Sequence, residues 1–192
     1  MTLRRFSAFP DTLAALLFAG LLSLAPVVVR ADSLQDANLL MKQGQLVPAL
    51  EKTEQLLATK PKDAQARFLK GLILTEMNRH NEAIAIFTKL TEDYPELPEP
   101  YNNLAALYAQ QRQFEKARNA IEMAIRTHPS YATAHENLGD IYALMAAQAY
   151  DKALQIDSSN AGAQTKQALI RDLLKVSPRP AAAPKIAPAA RQ

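Results

Sequence analysis

Residues 101–108 read YNNLAALY, and 34 positions later residues 135–142 read HENLGDIY. Asn103 falls on Asn137, Leu104 on Leu138 and Tyr108 on Tyr142. The same interval separates Pro61, Pro95 and Pro129, and it separates Ala49, Ala83 and Ala117. Ala37, Gly71, Ala105 and Gly139 continue it with small side chains, each followed three positions on by Leu40, Leu74, Tyr108 or Tyr142. A fixed period near 34 residues confines the chain to a repeat architecture whose unit is one helical hairpin. A small residue in each helix lets the other helix approach closely. The proline ends the second helix, because it lacks an N–H and pushes the residue before it out of the α region. One such hairpin cannot bury its apolar face alone, so stacked neighbours make a continuous core.

Composition agrees with an all-α chain. The apolar fraction is 48% of 192 residues, too high for a disordered polymer. Its middle is rich in Ala, Leu, Glu, Gln and Lys, which favour helix. The net charge of +3 is unevenly placed. Residues 32–175 hold 16 cations against 18 anions, net −2, so the basic excess sits in the two ends. A nucleic-acid-binding domain should carry a basic patch on its folded part, and this one does not. With no cysteine, disulfides, thiolate metal sites and a Cys nucleophile are excluded.

These residues resemble the tetratricopeptide repeat (TPR) family, over residues 30–158. In the family's register, repeat one is 30–63 (Ala37, Leu40, Gly44, Ala49, Leu56, Pro61). Repeat two is 64–97 (Gly71, Leu74, Ala83, Phe87, Pro95). Repeat three is 98–131 (Tyr101, Leu104, Ala105, Tyr108, Ala117, Ile121, Ala124, Pro129). The resemblance implies a right-handed α-α superhelix of three full repeats and extends to secreted TPR proteins of Gram-negative bacteria. Thr53 stands where the family has a large apolar residue, which implies looser packing in repeat one.

The fourth unit, 132–158, opens regularly and then departs. Its ending, from Ala146 through Tyr150 and Ala153 to Asp157, resembles the family's second helix but arrives five residues early. No Gly, Pro, Asn or Ser lies between Ile141 and Asp157, so the chain has no turn chemistry with which to reverse. Leu138, Tyr142, Met145, Ala149 and Ala153 instead form one helical stripe. We therefore expect a single fused helix over 132–157, with a tight hairpin as the alternative. Half of that helix should project, making Tyr142, Met145 and Tyr150 a candidate homodimer contact. Asn160 is expected to cap a last helix, 160–175, whose Ala163, Leu169, Ile170, Leu173 and Leu174 pack back on the long one.

The two ends read differently. Residues 1–31 combine Arg4 and Arg5, an apolar run from Thr12 to Val29 and a small-x-small ending at Val29-Arg30-Ala31, the pattern of a secretory signal peptide. The folded part, 32–175, is then expected to be periplasmic or secreted. An inner-membrane anchor over 12–29 is the alternative, at the lower length limit for a span. Residues 176–192, SPRPAAAPKIAPAARQ from Ser177 on, are dominated by Pro and Ala and are expected to form an extended disordered tail.

No motif for catalysis, cofactor or metal stands out. His80, expected in a turn, and His128 and His135 share no spacing that puts two ligands on one helix face. There is no Gly-x-Ser-x-Gly and no phosphate loop. Glu115/Lys116 and Glu122/Arg126 read as solvated helix pairs. The expectation is a non-enzymatic scaffold or adaptor, with no small-molecule substrate. The TPR resemblance implies a concave groove lined by the first helix of each unit. It carries Asn38 and Lys42, then Gln65, Phe68 and Leu72, then Glu99, Asn102, Asn103 and Ala106, then Glu136, Asn137 and Asp140. The Asn103 and Asn137 amides can pair with an extended peptide backbone. Glu99, Glu136 and Asp140 oppose an anionic ligand, so a neutral or basic segment docked over Phe68 and Leu72 is expected. A structural homo-oligomer and a regulatory subunit of a cell-envelope enzyme remain the alternatives.

Overall fold

The computed structural model describes residues 29–176. The expected signal segment and tail lie outside the described residues, apart from the backbone where α1 begins and α8 ends. Among the described residues there are eight helices and no strand. They are α1 (Val29–Lys42), α2 (Leu46–Thr59), α3 (Ala64–Glu76), α4 (His80–Asp93), α5 (Pro98–Gln110), α6 (Phe114–Thr127), α7 (Ala132–Ile156) and α8 (Ala161–Val176). Each packs on the next, and α1 also meets α3 and α5 meets α7. The first helices of successive units thus form one row of the solenoid. The second helices, α2, α4 and α6, form the other.

The hairpin turns repeat with the sequence. Gly44, Asn78 and Arg112 have φ of 75°, 58° and 58°, in the left-handed region, at intervals of 34 residues. Around each, two backbone bonds close the helix end. Gln45, Arg79 and Gln113 donate back to Leu40, Leu74 and Tyr108, while Gly44, Asn78 and Arg112 donate to Met41, Thr75 and Ala109. That pair is the Schellman arrangement, which satisfies carbonyls the helix end would otherwise orphan. His80 is the first residue of α4 rather than a turn residue, because the left-handed Asn78 has already reversed the chain.

The close approach expected at the small residues is sharpest in repeat two. A Cβ built on Gly71 would lie 2.6 Å from the ring of Phe87. Phe87 is fully buried and meets Phe68 edge-to-face at 5.6 Å. Thr53 corrects the expectation of a loose first repeat. It is fully buried, and its hydroxyl donates to the Ala49 carbonyl at 2.7 Å, so the polar atom is satisfied within its own helix.

In the fourth unit α7 runs unbroken through the place where the turn would fall. Ala146, 34 residues after Arg112, is helical. Everything beyond is regular but displaced by five. Lys60, Tyr94 and His128 end their helices with φ of −134°, −140° and −141°, each donating to the carbonyl four residues back. Asp157 does the same with φ −136°, donating to Ala153. Asp63 caps α3 through the Ala66 N–H, and Asn160 accepts from the Ala163 N–H at 2.9 Å in the same way. Ala163 is buried, like Ala66 and Ala134 at the same register.

Only part of the expected α8 stripe faces α7. Ala163 is buried and Ile170 and Leu174 are half-buried, but Leu169 and Leu173 are 65% and 55% exposed. The reason is helical period: 163, 167, 170 and 174 share one face, and 169 and 173 lie off it. Gln167 bonds Asp151 across the seam, and the Lys166 ammonium lies 5.8 Å from the Tyr150 ring centre. α8 therefore covers one face of the half of α7 that was expected to project.

Candidate functional site

The groove residues lie on the row α1, α3, α5 and α7, but they differ greatly in how much surface they offer. Glu136 is exposed, and Asn38, Gln65, Glu99 and Asp140 are half-buried. Phe68 and Leu72, expected as the floor under a peptide, are each only 8% exposed. Phe68 spends its ring on Phe87. Ala106 on α5 is 8% exposed as well.

The three asparagines are buried too, and their amides are engaged inside the array. Asn103 donates to the Glu99 carbonyl of its own helix at 2.8 Å. Asn137 donates to Asn102 Oδ1 at 2.7 Å, joining α7 to α5 across the repeat boundary. Asn102 Nδ2 is buried without a protein partner. A polar link of this kind fixes the angle between neighbouring first helices, since an unmade bond there would strand buried polar atoms. The sequence offered Asn103 and Asn137 as equivalent by the 34-residue period. Their side chains are not equivalent, because the actual bond joins residues 35 apart.

One neighbour escaped sequence reasoning. Tyr131, just ahead of α7, has its hydroxyl buried with no protein partner. Burial pushes this phenol well above the usual tyrosine range, and the Glu99 carboxylate adds to the shift. It stays a neutral donor at any physiological pH. Its place one residue before a repeat boundary carries no periodic signal.

Of the expected groove residues, Glu99 lies on α5, Glu136 and Asp140 on α7, and Lys42 ends α1. Ion pairs elsewhere join neighbouring helices, across a repeat boundary in Lys70–Glu54 and within repeat two around Asp93. Arg67 Nη1 reaches Asp93 Oδ2 at 2.5 Å, and Lys89 Nζ lies 3.2 Å from the same carboxylate. The helix pairs on α6 differ from expectation. Arg118 bridges Glu115 and Glu122, while Lys116 lies over the Tyr108 ring. Glu115 and Lys116, one apart, do not face each other, and Glu122, although four residues before Arg126, pairs with Arg118 on its other side. His135 Nε2 is 2.9 Å from the Pro129 carbonyl, which fixes it as the protonated nitrogen there. Among the described residues no group of three His, Cys, Asp or Glu is placed to hold a metal. Nor is any described helix long and apolar enough to cross a membrane.

Comparison with known proteins agrees with this geometry. The family model for the tetratricopeptide repeat matches residues 40–101 and 74–141. The chain is 30% identical over 89 residues to the tetratricopeptide repeat domain-containing protein PYG7, chloroplastic, of Arabidopsis thaliana. That match covers 44% of this chain and 30% of the relative's length. The first TPR domain of human RPAP3 superposes with a TM-score of 0.57 at 14% identity, covering 61% of this chain and 92% of that one. MamA gives 0.54 at 20% identity, covering 72% and 84%. A tetratricopeptide repeat protein from Parabacteroides merdae gives 0.56 at 19%, covering 76% and 60%. At such identities the likeness is one of fold. The repeating turns, the small-residue contacts and the family match across more than half of the sequence lead to one statement: this chain belongs to the tetratricopeptide repeat family.

Proposed function

We propose that the chain is an exported, non-enzymatic scaffold that holds a neutral or basic polypeptide segment along the row of first helices. TPR proteins generally mediate protein–protein interactions. The observation that carries the reading for this chain is the sign of its groove. Glu99, Glu136 and Asp140 gather on α5 and α7, so an acidic segment is repelled and a basic one is drawn in. The accessible positions are the side chains at the rim, Asn38, Gln65, Glu99, Glu136 and Asp140, rather than the floor. Phe68, Leu72, Ala106 and the three asparagines then set the shape against which a segment lies.

Two experiments test this. Fluorescence anisotropy of labelled basic, neutral and acidic peptides against the purified chain should rank them in that order, with affinity falling as salt rises. Glu99→Lys should weaken the basic peptide at least tenfold, and unchanged binding would overturn the groove assignment. Export is tested by fractionation of a Gram-negative host and N-terminal sequencing. A periplasmic chain beginning at Asp32 supports the reading, and a cytoplasmic one with Met1 retained contradicts it.

A further inference from the structure

The five residues missing from unit four remove its turn and leave both halves of a hairpin seam intact. In repeat two the seam is Gly71 of α3 against Phe87 of α4. By register the corresponding pair is Gly139 and Tyr150. Both lie on α7, eleven residues and therefore about 16 Å apart along one helix, and they cannot touch. A Cβ on Gly139 would meet nothing within 4 Å, so the surface shaped to receive a second helix stands open. Nearby Tyr142 is 49% exposed, and Ile156, at the far end of the helix, is 78% exposed.

We propose that the occupant of this open face is the second half of α7 from another copy of the chain, exchanged reciprocally. If Tyr150 of the second copy lies over Gly139, two-fold symmetry places Tyr150 of the first copy over Gly139 of the second. The axis falls between Leu144 and Met145. Such an exchange is the ordinary consequence of deleting a hinge loop, because the chain keeps its complementary surfaces and loses the means to bring them together itself.

The remaining register supports the pairing. The Arg67–Asp93 contact of repeat two maps onto His135 and Ile156 of the second copy, covering that exposed side chain. Lys116 over Tyr108 maps onto Met145 of the second copy over Tyr142. The link between first helices, Asn102 to Asn137, maps onto Glu136 and Lys166 of the second copy. Opposite charges thus stand where the boundary between repeats three and four has a hydrogen bond. The receiving half of α7, residues 132–145, carries Glu136 and Asp140 and no Lys or Arg, whereas α8, which would arrive with the donated half, carries Lys166, Arg171 and Lys175 against the single Asp172, with Lys175 paired to Asp172 and Arg171 to Asp151. The pairing shares Glu136 with the proposed groove, whereas the seam pair Gly139 and Tyr150 lies outside it, so cross-linking at that pair and the mass of the particle report on the dimer alone.

Because the chain has no native cysteine, the double variant Gly139→Cys/Tyr150→Cys tests the pairing directly. Within one chain the two thiols are beyond the roughly 7 Å Cα separation a disulfide tolerates. Mild oxidation should give a covalent dimer on a non-reducing gel that reductant dissolves. A chain that stays monomeric, or a ladder of higher species, overturns the reciprocal exchange. Light scattering on the unsubstituted chain should give twice the mass of one chain, and a monomer at tens of micromolar would contradict the proposal. Glu136→Lys should weaken the dimer at least tenfold, with Lys166→Glu in the same chain restoring it. Dimerisation unaffected by Glu136→Lys would also sink it.

Discussion

Repeat three and the fourth unit begin with nearly the same first helix and end as different objects. In repeat three α5 stops at Gln110, Arg112 turns left-handed, and α6 folds back to bury Ala117, Ile121 and Ala124. In the fourth unit the helix passes the equivalent point without stopping, and its own second half travels away from Gly139. The side chains that define the seam are present in both. In this chain, keeping the side-chain pattern of a hairpin does not by itself close one. A few residues of turn geometry decide whether a surface is satisfied within its own chain.

Substitutions can break that comparison, and the largest effect belongs to the closed hairpins. Phe87→Ala removes a fully buried ring between α3 and α4 and should cost about 3–5 kcal/mol, read as a lowered urea midpoint. Asn137→Ala should cost about 1–3 kcal/mol, because it strands the buried Asn102 amide. Replacing Asn102 and Asn137 together with Leu should recover much of that loss, since the penalty lies in the unpaired group rather than in the bond.

A pair of glycine substitutions sharpens the contrast, because the sign should reverse at the same register position. Arg112 holds a left-handed conformation that glycine adopts freely, so Arg112→Gly should raise stability by up to about 1 kcal/mol. Ala146→Gly, 34 residues on, sits inside a helix and should lower it by about 1 kcal/mol. Equal signs in thermal unfolding would mean that the two sites share a conformation. The smallest effect concerns the outer ion pairs. Hydrogen bonds from Arg67 and then Lys89 hold the Asp93 carboxyl below its usual value of 3.8. A depressed folded value makes Asp93 stabilising above its usual value, with the contribution lost as pH falls from there through the lower folded value. The gap between wild type and Asp93→Asn in denaturant midpoint should therefore be present at neutral pH and close in strong acid.

How much of this was legible in the sequence depends on whether a feature is periodic. The hairpins, the fused helix and the Asn160 cap were readable, because spacing, missing turn residues and a capping side chain each act locally. The left-handed Arg112 was not, since arginine carries no turn preference and its neighbours impose the geometry. The burial of Phe68, Leu72, Asn102, Asn103 and Asn137 was not legible either. A groove register states which face a residue occupies but not how deeply adjacent units close over it. The pairing of Asn137 with Asn102 rather than with an outside peptide follows from that depth.

The claim on which the account turns is that residues 132–156 form one unbroken helix. Spin labels at Glu136 and Leu154, in chains diluted with excess unlabelled protein so that only distances within one molecule are read, test it by electron–electron double resonance. Eighteen residues of continuous helix place the two backbones about 27 Å apart. A separation near 10 Å, the spacing of two packed helices, would mean that the chain folds back on itself and would contradict the account.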